Sequence, residues 1–140
     1  MTRLTLVLAA AVSSVPVSAA SPVVDPAISF VVTGGYWKHV SLDGAYRIVV
    51  RQTGHEHVSS QVTAEWVAGP SGESAQATIL RSIELVASGF FSFGEPRLLR
   101  IADGVRVSLR GVYTHDPDRK VTCVFELSSE GQKRTIKACG

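Results

Sequence analysis

The sequence is poor in several residue types, and each shortage narrows the range of possible proteins. It contains no asparagine and therefore no acceptor for N-linked glycosylation. Ten arginines stand against four lysines, and Arg, Ala, Gly and Val are favoured, which is typical of a GC-rich bacterial genome. No apolar run reaches the length of about 20 residues that a transmembrane helix needs. The formal net charge of +2 is nearly neutral, so charge gives no reason to expect nucleic-acid binding.

Motifs of the common catalytic and nucleotide-binding classes are also missing. The chain has no P-loop, no G-x-G-x-x-G fingerprint and no G-x-S-x-G nucleophile elbow. The C-x-x-C spacing of many zinc sites does not occur either. Glu56 and Glu65 form a carboxylate pair, but nothing in the sequence predicts the cleft that glycoside hydrolysis requires. We therefore expect a protein that is not an enzyme, with a cell-wall hydrolase as an alternative.

The first twenty residues have the pattern of a secretory signal peptide. Arg3 supplies a positive charge, Leu4–Val12 is a short apolar run, and Val17–Ala20 offers small residues for cleavage. This segment contains no cysteine, so we do not expect a lipid-anchored lipoprotein. The sequence thus predicts a cleaved peptide at residues 1–20 and a single domain at residues 21–140. The location would be the periplasm or the medium.

The two cysteines fit that location. An even number of cysteines in an exported chain predicts a disulfide, here between Cys123 and Cys139. A loop of this length would add about 3 kcal/mol to stability in the chain-entropy model. Strand alternation creates a conflict, because placing Ile136 and Ala138 in the core turns Cys139 outwards. A β-bulge or a frayed strand end is needed if the disulfide forms.

Alternating apolar and polar residues indicate strands along most of the chain. The longest alternation is Glu56–Val67, whose largest core residue would be Trp66. Gly and Pro turns separate similar short segments, and Asp43-Gly44 has the composition of a two-residue hairpin turn. Ser74–Ala87 fits a strand or a helix, and its neighbours favour a strand. These patterns predict an all-β fold, namely an antiparallel β-sandwich or small barrel of about eight short strands.

Three histidines are the residues most suited to a metal. His55 and His57 are two positions apart, so they project to one face if the segment is a strand, and His39 lies on a neighbouring strand. The turn residues that precede His55 favour the alternative of exposed loop histidines. A metal-binding module is therefore an alternative function, and no other cofactor is expected.

Arginines form a second pattern. Arg47 and Arg51 share the outer face of one predicted strand, and Arg106 and Arg110 share the outer face of another, with Arg97 and Arg100 nearby. If these strands were neighbours, their side chains would form a basic patch for an acidic protein, a glycan polymer or lipid phosphates. The alternative is that outward charges only keep the sheet soluble and protect its edges.

Aromatic residues in predicted loops are a third possible binding feature. Phe90, Phe91 and Phe93 lie between two glycines, and Trp37 follows a Gly-Gly pair. Such a cluster either caps the core or forms an exposed anchor for a partner. With no catalytic signature, we expect a binding module of the bacterial envelope, such as an inhibitor, immunity factor or accessory subunit. Its partner would be an envelope protein or a glycan.

Overall fold

The computed structural model describes residues 25–69 and 76–140, so the predicted signal peptide at residues 1–20 lies outside the described residues. These two ranges contain strands and no helix, and thus no helix able to cross a membrane. The strands are β1 (Ile28–His39), β2 (Leu42–Thr53), β3 (Ser59–Ala68), β4 (Thr78–Val86), β5 (Phe91–Phe93), β6 (Arg97–Ile101), β7 (Gly104–Tyr113), β8 (Asp116–Leu127) and β9 (Lys133–Lys137).

The strands form two antiparallel sheets, as predicted. The first sheet has the order β1-β2-β3-β4, so each strand pairs with its neighbour in the chain. The second has the order β5-β7-β8-β9, and β6 also pairs with β7. Period-two alternation gives each sheet one apolar face, and the two apolar faces pack against each other. The prediction of an all-β antiparallel sandwich is confirmed.

The core between the sheets consists of side chains from both. The fully buried aliphatic residues of the central strands are Ile48, Val50, Val62, Val105, Val107, Leu109 and Leu127. Trp66 of β3 is 3 % exposed, which confirms it as a core residue. Its Nε1 donates a hydrogen bond of 2.9 Å to the carbonyl oxygen of Ser128, which follows β8. Trp66 therefore joins the two sheets by a polar contact as well as by packing.

The disulfide is formed between Cys123 and Cys139. Cys123 points into the core from β8, while Cys139 lies beyond the end of β9 at Lys137. The pairing of β8 with β9 shifts register between Val124 and Phe125. This irregularity, together with the early end of β9, removes the conflict between strand alternation and the disulfide.

The hairpin turn predicted at Asp43-Gly44 is wrong. The chain turns at Val40–Ser41, and both Asp43 and Gly44 belong to β2. Gly44 is needed in the strand for another reason, since a Cβ atom there would lie 1.9 Å from the carbonyl oxygen of Val67. Val40 takes the left-handed turn conformation instead, with φ of 54°.

Two other segments differ in part from the sequence-based prediction. The strand expected at Glu56–Val67 begins only at Ser59, because residues 54–58 form the connection from β2. The segment Phe91–Phe93, expected as loop, is a short strand paired with β7. The strand favoured for Ser74–Ala87 is confirmed as β4, while residues 70–75 lie outside the described part of the chain.

Candidate functional site

The outer face of the second sheet is set by the burial of β7. Val105, Val107 and Leu109 fill the core, so the residues between them point to the opposite side. Arg106 and Arg110 therefore lie on the outer face.

Antiparallel register extends this face to the neighbouring strands, because residues directly opposite each other share a face. On β6, Arg97 lies opposite Ser108 of β7. On β8, Lys120 lies opposite Val112, and on β9 the partners of outward β8 residues are Arg134 and Lys137. We call this surface the cationic face, and its basic residues are Arg97, Arg106, Arg110, Lys120, Arg134 and Lys137.

Glu126 is an acidic residue of the cationic face, and Arg106 and Arg134 both bind its carboxylate. Arg106 donates from Nη2 to Oε1 at 2.7 Å and from Nε at 3.1 Å, while Arg134 donates from both Nε and Nη2 to Oε2. The hydrogen bonds from Arg134 and Arg106 lower the pKa of Glu126. The carboxylate thus holds both guanidinium groups next to β8.

The remaining cations of this face are not neutralised. Arg97, Arg110, Lys120 and Lys137 make no ion pair within 4.0 Å with any residue of the described ranges. Leu99 lies opposite Arg106 and is 61 % exposed, so the face also offers an apolar contact. Six cationic side chains and the Glu126 carboxylate therefore share a single sheet surface.

The outer face of the first sheet is different, because its two arginines on β2 are paired. Arg47 donates to Glu65 at 2.5 Å, and Arg51 lies 3.6 Å from Asp25. The predicted patch that joins Arg47 and Arg51 to Arg106 and Arg110 is therefore not formed, since β2 and β7 belong to different sheets. Arg106 and Arg110 instead share a face with cations from β6, β8 and β9.

A depression of about 530 Å³ borders the cationic face at the β6–β7 and β8–β9 turns. Arg106 and Arg134 line it on the side of the sheet, and Asp103 and Glu130 line it on the side of the turns. Arg97, Arg110, Lys120 and Lys137 do not line this depression, so the unpaired cations of the face lie outside it.

Most of the aromatic residues predicted to bind a partner cap the core instead. Trp37 is buried and donates from Nε1 to the carbonyl oxygen of Ala45 at 3.0 Å, and Phe93 is also buried. Phe91 is half-buried, with its ring 5.0 Å from that of Tyr113. Phe90 differs, because it is 69 % exposed.

The structure does not bring the three predicted metal ligands together. His39 lies before the start of β2 and His55 and His57 lie after its end, a separation of roughly 35 Å at the usual rise per residue. No group of three or more His, Cys, Asp or Glu side chains within residues 25–69 and 76–140 is arranged to hold a metal ion. The imidazole next to His57 belongs to His115, with ring centroids 4.5 Å apart.

Three of the six basic residues of the cationic face were not predicted from the sequence. The contact of His57 with His115 was not predicted either. The alternation of Val121, Cys123 and the following core residues would place Lys120 on the outer face. Arg134 and Lys137 are harder to assign, because the register shift in β9 breaks the alternation. His115 lies 58 positions from His57 in the chain, and only the packing of the two sheets brings them together.

No protein-family model matches this chain, and comparisons with curated proteins and with solved structures find no significant match. Its function must therefore be inferred from its own side chains and their arrangement. The cationic face is the feature that departs most from a charge-balanced protein surface.

Proposed function

We propose that this protein is a non-enzymatic binding module of the bacterial envelope, and that its cationic face binds an acidic surface of another protein. The observation that carries the proposal is the concentration of six cations on one sheet surface, four of them without an ion pair in the described residues, opposite a surface whose two β2 arginines are paired. The disulfide supports placement in an oxidising compartment such as the periplasm or the medium.

The chemistry of the cationic face favours a protein partner over a glycan or a lipid. Four of its six cations are arginines, which are enriched at protein interfaces, whereas lysines are depleted there. A guanidinium group binds a carboxylate through two parallel hydrogen bonds, a geometry that Asp and Glu side chains provide. Leu99 adds an exposed apolar contact beside Arg106. An inhibitor, an immunity factor or an accessory subunit would use such a surface.

The unpaired cations allow a test that leaves the fold intact. A triple alanine variant removes three positive charges that make no ion pair in the described residues, namely Arg97, Arg110 and Lys120. A matched control removes three exposed and equally unpaired cations outside the cationic face, namely Lys38, Arg81 and Arg100. Both variants lose the same net charge, so only the position of the charge differs.

Binding is measured in the cells that export the protein by site-specific photo-crosslinking. The crosslinker replaces Ser108 in the middle of the cationic face or, as a control, Val31 on the outer face of the first sheet. We expect a protein adduct at position 108 and none at position 31. The triple variant should weaken the isolated complex about tenfold or more at low salt, and the control triple should leave it unchanged.

Three results would contradict the proposal. Adducts of glycan or lipid mass at position 108 would show that the partner belongs to another chemical class. Equal adducts at positions 31 and 108 would show that the cationic face is not the contact surface. Equal weakening by the two triple variants would show that net charge alone drives association.

A further inference from the structure

Two histidines from different sheets meet at the end of the sandwich where β2 ends. His57 lies in the connection between β2 and β3, and His115 lies in the turn between β7 and β8. Their ring centroids are 4.5 Å apart, and their planes are inclined by 62°. Both side chains are exposed to solvent. The pair therefore forms an accessible contact between the two sheets.

A glycine constrains one of the two loops, and a backbone hydrogen bond constrains the other. Gly54 has φ of 101°, and a Cβ atom there would lie 2.5 Å from the carbonyl oxygen of His57, so the loop can close this tightly only with glycine. The amide of Thr114 donates to the carbonyl oxygen of Phe90 at 2.9 Å, which fixes the turn that carries His115.

We infer that His57 and His115 form a surface site for a first-row transition-metal dication that prefers imidazole ligands, such as Cu²⁺, Ni²⁺ or Zn²⁺. A neutral imidazole offers one nitrogen lone pair to a metal at about 2.0–2.1 Å. Rings with centroids 4.5 Å apart are close enough for one nitrogen of each to reach the same ion after side-chain rotation. No third His, Cys, Asp or Glu completes a cluster in the described ranges, so water would complete the coordination.

The charges next to the pair favour a cation. Glu56 precedes His57 in the chain and Asp116 follows His115, and both residues are exposed. Along the chain, the basic residue nearest to His115 is Arg119. Its guanidinium carbon lies 3.9 Å from the centroid of the Tyr113 ring. The inferred site does not depend on the cationic face, because it uses none of the residues of that face.

The four histidines of the chain provide both the test and its controls. The exported chain is purified without an affinity tag and titrated with CuCl₂, NiCl₂ or ZnCl₂. The midpoint temperature of its thermal unfolding is then measured. We expect the midpoint temperature to rise by roughly 5–10 °C at metal concentrations far above Kd. Cu²⁺ should bind most tightly, and Mg²⁺ and Ca²⁺ should have no effect. His57→Ala and His115→Ala should each abolish the rise, while His55→Ala and His39→Ala should retain it.

A second measurement covers the case in which a variant does not fold. Electron paramagnetic resonance of the Cu²⁺-loaded wild-type protein should show two equatorial nitrogen ligands, and His57→Gln should remove at least one. The inference is overturned if the midpoint rise persists in both His57→Ala and His115→Ala. It is also overturned if His39→Ala abolishes the rise, or if the spectrum of the wild-type protein lacks imidazole nitrogens.

Discussion

The disulfide between Cys123 and Cys139 allows a stability prediction with a calculable magnitude. The bond closes a loop of sequence separation 16, and in the chain-entropy model a loop of this length restricts the unfolded chain by about 3 kcal/mol. Cys139→Ser removes the bond while leaving Cys123 in the core, where a free thiol packs as a small apolar group. We therefore expect this variant to lose about 3 kcal/mol of stability.

Local unfolding of β9 would make the measured loss of stability smaller. β9 is an edge strand of five residues, all exposed, so it has few buried contacts of its own. Without the disulfide, β9 can detach from β8 while the rest of the sandwich stays folded. In that case the global loss is smaller than the loop calculation gives, and the difference appears as faster hydrogen exchange in β9.

The assay is equilibrium unfolding in urea at 25 °C. With a slope of about 1.5–2 kcal/mol per molar urea, the midpoint of Cys139→Ser should fall by roughly 1.5–2 M. Wild-type protein in dithiothreitol is the matched control and should show the same shift. A shift below about 0.5 M, with unchanged exchange in β9, would refute the loop-closure argument.

Three smaller changes test individual side chains. Tyr46→Phe should raise stability by about 1 kcal/mol, because the buried Tyr46 hydroxyl has no hydrogen-bond partner in the described residues, and a lower urea midpoint would contradict this. Burial raises the pKa of Tyr46 to about 12, so wild-type stability should fall as pH rises above 10.0, and the variant should lose less. Val40→Asn should raise the melting temperature relative to Val40→Ala by about 3–5 °C, since Val40 is 84 % exposed and asparagine tolerates its φ of 54°. The pKa of Glu126 lies below its ordinary 4.5, so its stabilising effect is present above that pH and is lost below it. The difference in urea midpoint between wild type and Glu126→Gln should therefore shrink as pH falls from roughly 5 to 3.

The sheets and the core were predictable because alternation is a local property of the chain. Val62, Ala64 and Trp66 are spaced by two residues, and all three are buried. The alternation within a strand predicts its buried face even when its partner strands are not known. The inward face of β3 could therefore be predicted from the sequence. The start of β3 did not, because His57 and Val58 continue the alternation into a connection whose course is set by Gly54.

Turns were less predictable, because composition does not reveal which residue adopts the unusual φ. Asp43-Gly44 has the residue types of a hairpin turn, yet Gly44 is needed for close approach to β3. Val40 occupies the left-handed region although valine disfavours it. No composition rule would place the turn at that position.

The candidate binding surfaces were the least predictable, because they depend on pairing between distant segments. Arg106 and Arg110 follow from alternation within β7, but their neighbours Arg134 and Lys137 depend on the register of β9. The partner of His57 in space is contributed by the other sheet. Sequence patterns thus identified residue types suited to binding but not the sets that meet.

The disulfide and the cationic face are connected through β8 and β9. Cys123 points into the core from β8, and β8 presents Lys120 and Glu126 on its other side. Cys139 lies two residues after the end of β9, and β9 supplies Arg134 and Lys137, two of the six cations. Since β9 has no buried residue, the covalent bond at its end adds to the strand pairing and to the Arg134–Glu126 ion pair in keeping these cations beside the others. We therefore expect reduction of the disulfide to weaken the attachment of β9 and of these two cations to the rest of the cationic face.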